Sequence, residues 1–239
     1  MAVMVACVAA CASSATEQHE YDDPFEGYNR AMFSFNYQVD KYVIKPVAEG
    51  YRAVTTPFIR ERISSVIDNL KEPVSAGNYL LQADPEASVK SLSRFVINST
   101  LGLVGMFDVA EGWGLPKDKT TFNETFAKWC IPQGPFIVLP LLGPSTPRAA
   151  TGMALDFVFD PVYWATYQDA NVHDKASWGY AIAQGITVRE AALDILDDLE
   201  RNSVDFYATM RSAYLQNQNK LKCFNDVSKD ENTYDFDFG

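Results

Sequence analysis

Apolar residues along most of the chain recur at intervals of three and four, the spacing of positions on one face of an α-helix. Phe25, Tyr28 and Met32 show this spacing near the start of the body of the protein. Segments with the same pattern follow, and prolines and glycines separate them. The predicted helical segments are residues 25–36, 58–70, 74–82, 85–101, 148–164 and 188–215.

Two prolines and one aspartate mark where some of these helices are expected to begin or end. Pro73 separates the second segment from the third, and Pro161 breaks the segment 148–164. Asp84 precedes a proline and a glutamate, an order typical of a helix N-cap followed by its first turn. Strand-like alternation is scarce. We therefore predict an all-α fold with irregular loops rich in proline and glycine, formed by a single domain over residues 24–225.

The segment from Phe136 to Pro144 is strongly apolar but is interrupted by Pro140 and Gly143. A helix needs about 20 apolar residues to span a bilayer, so this segment is too short to do so. We expect a buried loop, or a segment that lies at membrane depth against protein. The body has no run of about 18 uncharged apolar residues, and no ordinary transmembrane helix is predicted.

The first residues have the character of an export signal. Residues 1–15 carry no charge and are rich in alanine and valine. Val8, Ala9 and Ala10 precede Cys11, an order similar to a bacterial lipobox, in which the cysteine is acylated and becomes the first mature residue. We expect residues 1–10 to be a signal peptide and Cys11 to carry a lipid anchor. An ordinary signal peptide is the alternative.

The residues that flank Cys11 add three expectations. No lysine or arginine precedes the apolar run, so we expect the natural start to lie further upstream. Ala12 follows the cysteine where an aspartate would favour the inner membrane, which points to the outer membrane. Residues 11–23 are small and polar, as in a flexible tether. At the other end, residues 226–239 are acidic and without pattern, and we expect them to be disordered.

Composition and charge restrict the class of partner. The chain of 239 residues has a net charge of -11, which argues against nucleic acid and against electrostatic attraction to an anionic lipid surface. Hydrophobic residues make up 47% and aromatic residues 13% of the chain, enough for a substantial core and an apolar surface besides. If lipid is the partner, the contact must be apolar.

Residues capable of catalysis or metal binding are few. No serine-nucleophile elbow, phosphate-binding loop or zinc-protease motif is present. The histidines are His19 and His173, each in a polar segment, and no pair of the four cysteines has the Cys-x-x-Cys spacing. We therefore expect no enzymatic activity, no metal and no cofactor. In an oxidising compartment Cys130 and Cys223 could pair, and two buried free thiols are the equal alternative.

Several ordered motifs resemble the MlaA (VacJ) lipoproteins of Gram-negative outer membranes. They lie at residues 23–36, 68–73, 94–102 and 134–144, with weaker agreement at 188–191 and 211–216. A stretch that is usually glycine-rich is replaced here by residues 129–133, which makes that loop stiffer. The residues taken as the family signature are Asp23, Pro24, Glu26, Asn29, Arg30, Phe33, Asn36, Asn69, Glu72, Pro73, Asn98, Gly134, Pro135, Pro140 and Gly143.

This resemblance implies a ring-shaped helical domain, partly sunk in the inner leaflet of the outer membrane, that encloses an amphipathic channel. Misplaced phospholipid would leave the outer leaflet through the channel and pass to a periplasmic carrier, MlaC. The result would be maintained lipid asymmetry, with a trimeric porin as a further partner. The lipid anchor and an apolar rim would attach the protein at the periplasmic face of the cell outer membrane.

Three polar residues inside apolar segments have two interpretations. Arg30, Asn36 and Asn98 either satisfy buried backbone groups and helix contacts, which we favour, or take part in the lipid path. The alternatives for the whole protein are a lipid-active enzyme, such as a phospholipase or acyltransferase, and a structural porin-associated lipoprotein with no lipid path.

Overall fold

The computed structural model describes residues 23–166 and 170–224, with the side chains of 170–174 left out. The predicted signal peptide, Cys11, the acidic tail and all of the tether except Asp23 lie outside the described residues. Within them the all-α prediction is confirmed, with one short β-hairpin added. The helices are α1 (Glu26–Val39), α2 (Lys45–Val54), α3 (Pro57–Leu81), α4 (Pro85–Thr100), α5 (Val109–Gly112), α6 (Phe122–Lys128), α7 (Pro147–Val158), α8 (Pro161–Thr166), α9 (Ala170–Ala191), α10 (Leu193–Asn202) and α11 (Phe206–Asn219). A π-helical turn (Asp40–Ile44) joins α1 to α2, and the strands are β1 (Ile137–Leu139) and β2 (Gly143–Ser145).

Short polar side chains set where several helices begin. The Asp84 carboxylate accepts a hydrogen bond from the backbone N–H of Ala87, which confirms the predicted cap of α4. Thr121 and Glu124 form a reciprocal capping box at the start of α6. Proline occupies the first turn of α3, α4 and α7, where its missing N–H leaves no helical hydrogen bond unmade.

The predicted break at Pro73 is wrong, because α3 continues through this residue as a single helix. Proline removes one backbone hydrogen bond and usually ends or kinks a helix. Packing of α3 along α4 compensates for that loss. Ser88 Oγ donates to the Ala76 carbonyl at 2.8 Å, and Arg94 Nε of α4 contacts Glu72 Oε1 at 2.9 Å on either side of the proline.

The single long helix predicted over residues 188–215 is also wrong. The chain there belongs to α9, α10 and α11. Ser203 is extended and ends α10, and Asp205 is extended and caps α11 by accepting a hydrogen bond from Ala208 N–H. Amphipathic spacing continues across these breaks, so the pattern alone could not reveal them. The predicted break at Pro161 is confirmed, since α7 ends at Val158 and α8 begins at Pro161.

The apolar segment 136–144 forms the antiparallel hairpin, which the sequence did not predict. Ile137 lies opposite Ser145, and Leu139 lies opposite Gly143. The turn begins at Pro140 and places Leu141 at φ 63° and Gly143 at φ 82°. Left-handed backbone favours glycine, which explains Gly143 at this position. Strands this short carry too little alternation to be recognised in a sequence.

The elements follow one another in a closed circuit of contacts. From α2 the circuit runs through α9, α8, α3, α6 and α7. Arg148 of α7 then reaches Gln218 of α11, and α11 contacts the hairpin. The hairpin contacts α1, and α1 leads through the π-helical turn back to α2. Within the described residues, no helix combines the length and hydropathy needed to cross a bilayer. A small aromatic core lies on the circuit where α1, the hairpin and α11 meet.

A disulfide joins Cys130, just after α6, to Cys223, just after α11. The two Cα atoms are 4.8 Å apart and 93 residues separate the cysteines in sequence. Of the two states left open by the sequence, the structure has the bonded one. The bond closes the circuit covalently on the side where α7 and α11 meet.

We predict that Cys223→Ser lowers the free energy of unfolding by about 2–4 kcal/mol, since the unfolded chain regains the freedom of a long loop. Urea unfolding in oxidising buffer measures this difference. Wild-type protein in reducing buffer should match the variant, and the variant should not respond to reductant. Equal stability of both proteins in oxidising buffer would contradict the assignment.

Candidate functional site

A cavity of about 390 Å³ lies inside the circuit, partly open to the outside. Its walls come from α3, α7, α8 and α9, together with the loop before α6 and the tip of the hairpin. Its apolar lining includes Val74, Leu142, Met153, Phe157 and Val162. Its polar lining includes the charged groups Lys71, Lys119, Asp156 and Asp160, and the hydroxyl groups of Ser177 and Tyr180. The cavity is therefore amphipathic.

The two aspartates of the lining lie on α7 and just before α8, near in sequence to the apolar lining residues Met153, Phe157 and Val162. Burial raises the pKa of Asp156 to about 6, although the carboxylate accepts a hydrogen bond from Phe122 N–H at 3.1 Å. Burial also raises the pKa of Asp160, which caps α8 by accepting from Val162 N–H at 2.7 Å. Both groups prefer the neutral form more than an exposed aspartate does.

The two lysines of the wall differ in their partners. Lys119 and Lys117 both pair with Asp68, so the charge of Lys119 is already engaged. Lys71 has no carboxylate within ion-pair distance among the described residues, and burial lowers the pKa of its ammonium group. Lys71 is therefore the cation of the wall that a ligand could engage.

A network of buried side chains fixes the loop before α6 against α3. Ser75 Oγ donates to the Thr120 carbonyl at 3.2 Å. Gln82 Nε2 donates to the hydroxyls of Thr120 and Thr125 at 2.7 and 2.8 Å. Thr125 in turn donates to Asn78 Oδ1 at 2.7 Å. The loop that carries Lys119 is thus held in place by side chains of α3.

Two signature asparagines of α1 hold the hairpin. Asn29 Nδ2 donates to the Phe136 carbonyl at 3.1 Å, and Asn29 Oδ1 accepts from Val138 N–H at 2.8 Å. Asn36, two turns further along the same helix face, makes the equivalent pair with the Leu139 carbonyl and Leu141 N–H. The hairpin therefore pairs with amide side chains where a third strand would otherwise lie, and its tip reaches the cavity at Leu142.

The other signature residues around α1 tie this helix to α11. Asp23 accepts hydrogen bonds from Asn29 Nδ2 and the Tyr207 hydroxyl, and Arg211 lies 3.8 Å from its carboxylate. Arg30 is half-exposed and pairs with Glu26 and Asp205, both at 2.7 Å. Phe33 packs edge-on against Phe206 and Tyr207, with ring centroids 5.4 and 5.6 Å apart. Pro24 lies in the turn that leads into α1.

Two signature residues, Glu72 of α3 and Asn98 of α4, belong to an ionic cluster with Arg94 and Asp108. Glu72 and Arg94 are 1% and 3% exposed, and Arg94 also contacts Asp108 Oδ2 through Nη2 at 2.7 Å. Asn98 Nδ2 donates to Asp108 Oδ1, and Asn98 Oδ1 accepts from Ala110 N–H, both at 3.0 Å. Although burial acts to raise the pKa of Asp108, hydrogen bonds from Arg94 and Asn98 hold it below its usual value.

Two glycines allow close backbone approach. Asn69 donates to Ser99 Oγ at 2.9 Å, and Gly105 lies so close to Asn69 that a Cβ there would come within 2.5 Å of its side chain. Gly134, at φ 75°, lies against the ring of Pro147, and Pro135 leads into the hairpin. These contacts hold the loop after α4 against α3 and the loop before the hairpin against α7.

None of the signature residues lines the cavity. They join neighbouring elements of the circuit, and among these elements α3, α7 and the hairpin contribute to the walls. The favoured interpretation of Arg30, Asn36 and Asn98 as partners of backbone and helices agrees with their contacts. The sequence analysis missed the lining residues. Asp156 and Asp160 could have been noticed as carboxylates in an otherwise apolar segment. The described residues contain no cluster of potential metal ligands, the side chain of His173 is not described, and Cys11 lies outside the described chain.

Comparison with known proteins gives consistent matches. A family model described as MlaA lipoprotein matches residues 21–221. A Rickettsia typhi protein is 36% identical over 195 residues, which is 81% of this chain and 75% of that protein. The Escherichia coli K12 intermembrane phospholipid transport system lipoprotein MlaA is 35% identical over 227 residues, 93% of this chain and 87% of that protein. A solved structure, described as the structural basis for maintenance of bacterial outer membrane lipid asymmetry, is 34% identical with a TM-score of 0.72, and the match covers 84% of this chain and 99% of that one.

We predict that Arg94→Met lowers the free energy of unfolding by about 3–5 kcal/mol, because Glu72 would keep a buried charge and Asp108 a half-buried one without their partner. Lys90→Met is the matched control, since Lys90 lies on the same helix with an exposed partner, and it should leave stability near that of wild type. Denaturant unfolding measures both. Equal effects of the two substitutions would contradict a structural role for the buried cluster.

The raised pKa of Asp156 predicts a pH-dependent effect of Asp156→Asn. The folded state binds this proton more tightly than the unfolded state, so wild type loses stability as pH rises from the ordinary value of 3.8 through about 6. Asparagine keeps the acceptor for Phe122 N–H and cannot ionise. The variant should match wild type at pH 4 and melt about 2–4 °C higher above pH 7, the shift that about 1 kcal/mol produces in a domain of this size. Asp194→Asn, on the exposed face of α10, should show no such gain, and a constant difference across pH would contradict the assignment.

Proposed function

The chain belongs to the MlaA lipoprotein family, and from this premise we propose that it transports phospholipid through its cavity and so maintains the lipid asymmetry of a bacterial outer membrane. The amphipathic cavity inside the closed circuit of helices carries the proposal. The matched E. coli protein is named for intermembrane phospholipid transport, in agreement with this reading.

The mixed lining of the cavity suits the two parts of a phospholipid. Val74, Met153 and Phe157 offer apolar contact to the first carbons of the acyl chains. Charged and hydroxyl groups face the same space and can replace the water around a headgroup. Sites for small ligands measure about 300–1,000 Å³, so a cavity of about 390 Å³ would accept the headgroup while the tails extend through the opening.

The outer surface supports contact with lipid. Val89, Leu92 and Val96 follow helical spacing on the face of α4 that points away from α3, and they are 62%, 46% and 57% exposed. Contiguous exposed apolar surface marks contact with a membrane or another protein. We propose that this face belongs to an apolar rim at the inner leaflet, and that an acylated Cys11 adds a second attachment at the periplasmic face.

The remaining steps of the proposed route involve other proteins. Phospholipid would leave the outer leaflet, cross the cavity and pass to the periplasmic carrier MlaC, while a trimeric porin holds the lipoprotein in place. The lipid is moved without a covalent change, so the proposed transport requires no catalytic group and no cofactor.

We predict that deleting the gene raises outer-leaflet phospholipid, and that Ala181→Trp fails to restore the normal level because the indole fills the cavity. Ala191→Trp is the matched control, an exposed position on the same helix outside the lining, and should complement fully. A membrane-impermeant amine-reactive reagent measures exposed phosphatidylethanolamine, and immunoblots verify equal amounts of protein in the outer membrane.

The outcomes separate the competing functions. Unchanged outer-leaflet phospholipid after deletion would contradict the transport function. Full complementation by Ala181→Trp would contradict a route through the cavity and would favour the structural porin-associated alternative.

A further inference from the structure

The charges of the cavity wall balance one another. The lining contains two lysines and two aspartates, and Asp68, which engages Lys119, is itself paired with Lys117 outside the lining, so these groups together carry no net charge. A headgroup with a net charge would therefore enter a partly desolvated space whose wall offers no net opposite charge. Transfer of an uncompensated charge out of water is costly, so the wall favours a headgroup with no net charge.

Lys71 shares the cavity with two carboxylates that have no lysine or arginine within ion-pair distance among the described residues. It lies on α3, half-buried, whereas Asp156 lies on α7 and Asp160 just before α8. The groups are not within ion-pair distance of one another, yet Lys71 acts to lower the pKa of both carboxyls against the larger effect of burial. Opposite charges that share a cavity without touching leave room for a ligand that carries both.

The hydroxyls on α9 provide further polar contacts. Ser177 Oγ is buried and has no hydrogen-bond partner among the described residues. The Tyr180 hydroxyl lies close to Asp160 and adds a second polar group to the wall. Buried polar groups are nearly always hydrogen-bonded in proteins, so the unpartnered hydroxyl of Ser177 indicates a polar ligand in the cavity.

We propose that the cavity is a binding site for a zwitterionic phospholipid headgroup, in which Lys71 and Ser177 bind the phosphate and Asp156 binds the ammonium group. This inference rests on the proposed transport function and adds a headgroup preference to it. Asp160 is retained as the cap of α8 and contributes its charge to the same side. The apolar lining assigns the site to a lipid in preference to a free phosphodiester with the same charges.

Calorimetric titration of the full chain in a non-ionic detergent tests the preference. The probes are dihexanoyl phosphatidylethanolamine, dihexanoyl phosphatidylglycerol and glycerophosphoethanolamine, which has the zwitterionic headgroup without acyl chains. We expect wild type to bind the ethanolamine lipid about tenfold more tightly than the other two, the factor associated with one charge-assisted hydrogen bond or a comparable apolar contact.

Two variants test the assigned residues. Lys71→Gln should weaken the binding of both lipids about tenfold, because both lipids carry the phosphate. Asp156→Asn should weaken the binding of the ethanolamine lipid only, and so remove the preference for this lipid over phosphatidylglycerol. Lys90→Gln, an exposed lysine outside the lining, is the control and should bind as wild type does. Thermal unfolding verifies that each variant is folded.

Different results of these titrations would contradict the transport function and the headgroup site. If wild type binds neither lipid, the transport function itself is contradicted. If it binds both lipids equally, or if Lys71→Gln and Asp156→Asn behave like Lys90→Gln, the headgroup site is wrong while lipid transport stands. Binding of glycerophosphoethanolamine as tight as that of the lipid would overturn the assignment to a lipid.

Discussion

The ion pair between Glu72 and Arg94 is buried where α3 packs on α4, and the wall of the cavity depends on it. Glu72 is directly followed by Pro73, where α3 lacks one backbone hydrogen bond, and directly preceded by Lys71, which faces the cavity. The pair fixes the rotation of α3 about its axis, because adjacent helical residues point about 100° apart. The face of α3 that carries Glu72 then packs on α4, while the neighbouring face, which carries Lys71, lines the cavity.

Much of the interior is polar for a related reason. A circuit of helices around an open cavity cannot share one central apolar core, so neighbouring elements must be joined locally. Asn29 and Asn36 hold the hairpin, and Asn98 joins α4 to Asp108, the residue directly before α5. Amide side chains suit this role because each both donates and accepts, and they bind backbone that has no strand partner.

The apolar surface is correspondingly turned outward. α4 illustrates this arrangement, since Arg94 and Asn98 are buried against its neighbours while Leu92 and Val96 are exposed. In a protein surrounded by water, such a face would favour aggregation. In contact with acyl chains it would be stabilising, which links the polar interior, the apolar exterior and the proposed position at a membrane in one physical scheme.

The sequence by itself determined the helical class, several helix boundaries and the family, because these follow from local spacing, capping residues and ordered motifs. Asp84 and Pro161 act on the backbone beside them, so their effects were predictable. The passage of α3 through Pro73, the breaks around Asp205 and the hairpin at 136–144 depend on partners far along the chain, and only the tertiary structure decided them. The same holds for the cavity. Lys71 and Asp156 are 85 positions apart in the numbering of the chain, and no local pattern relates two charges that line one cavity only when the circuit of helices closes.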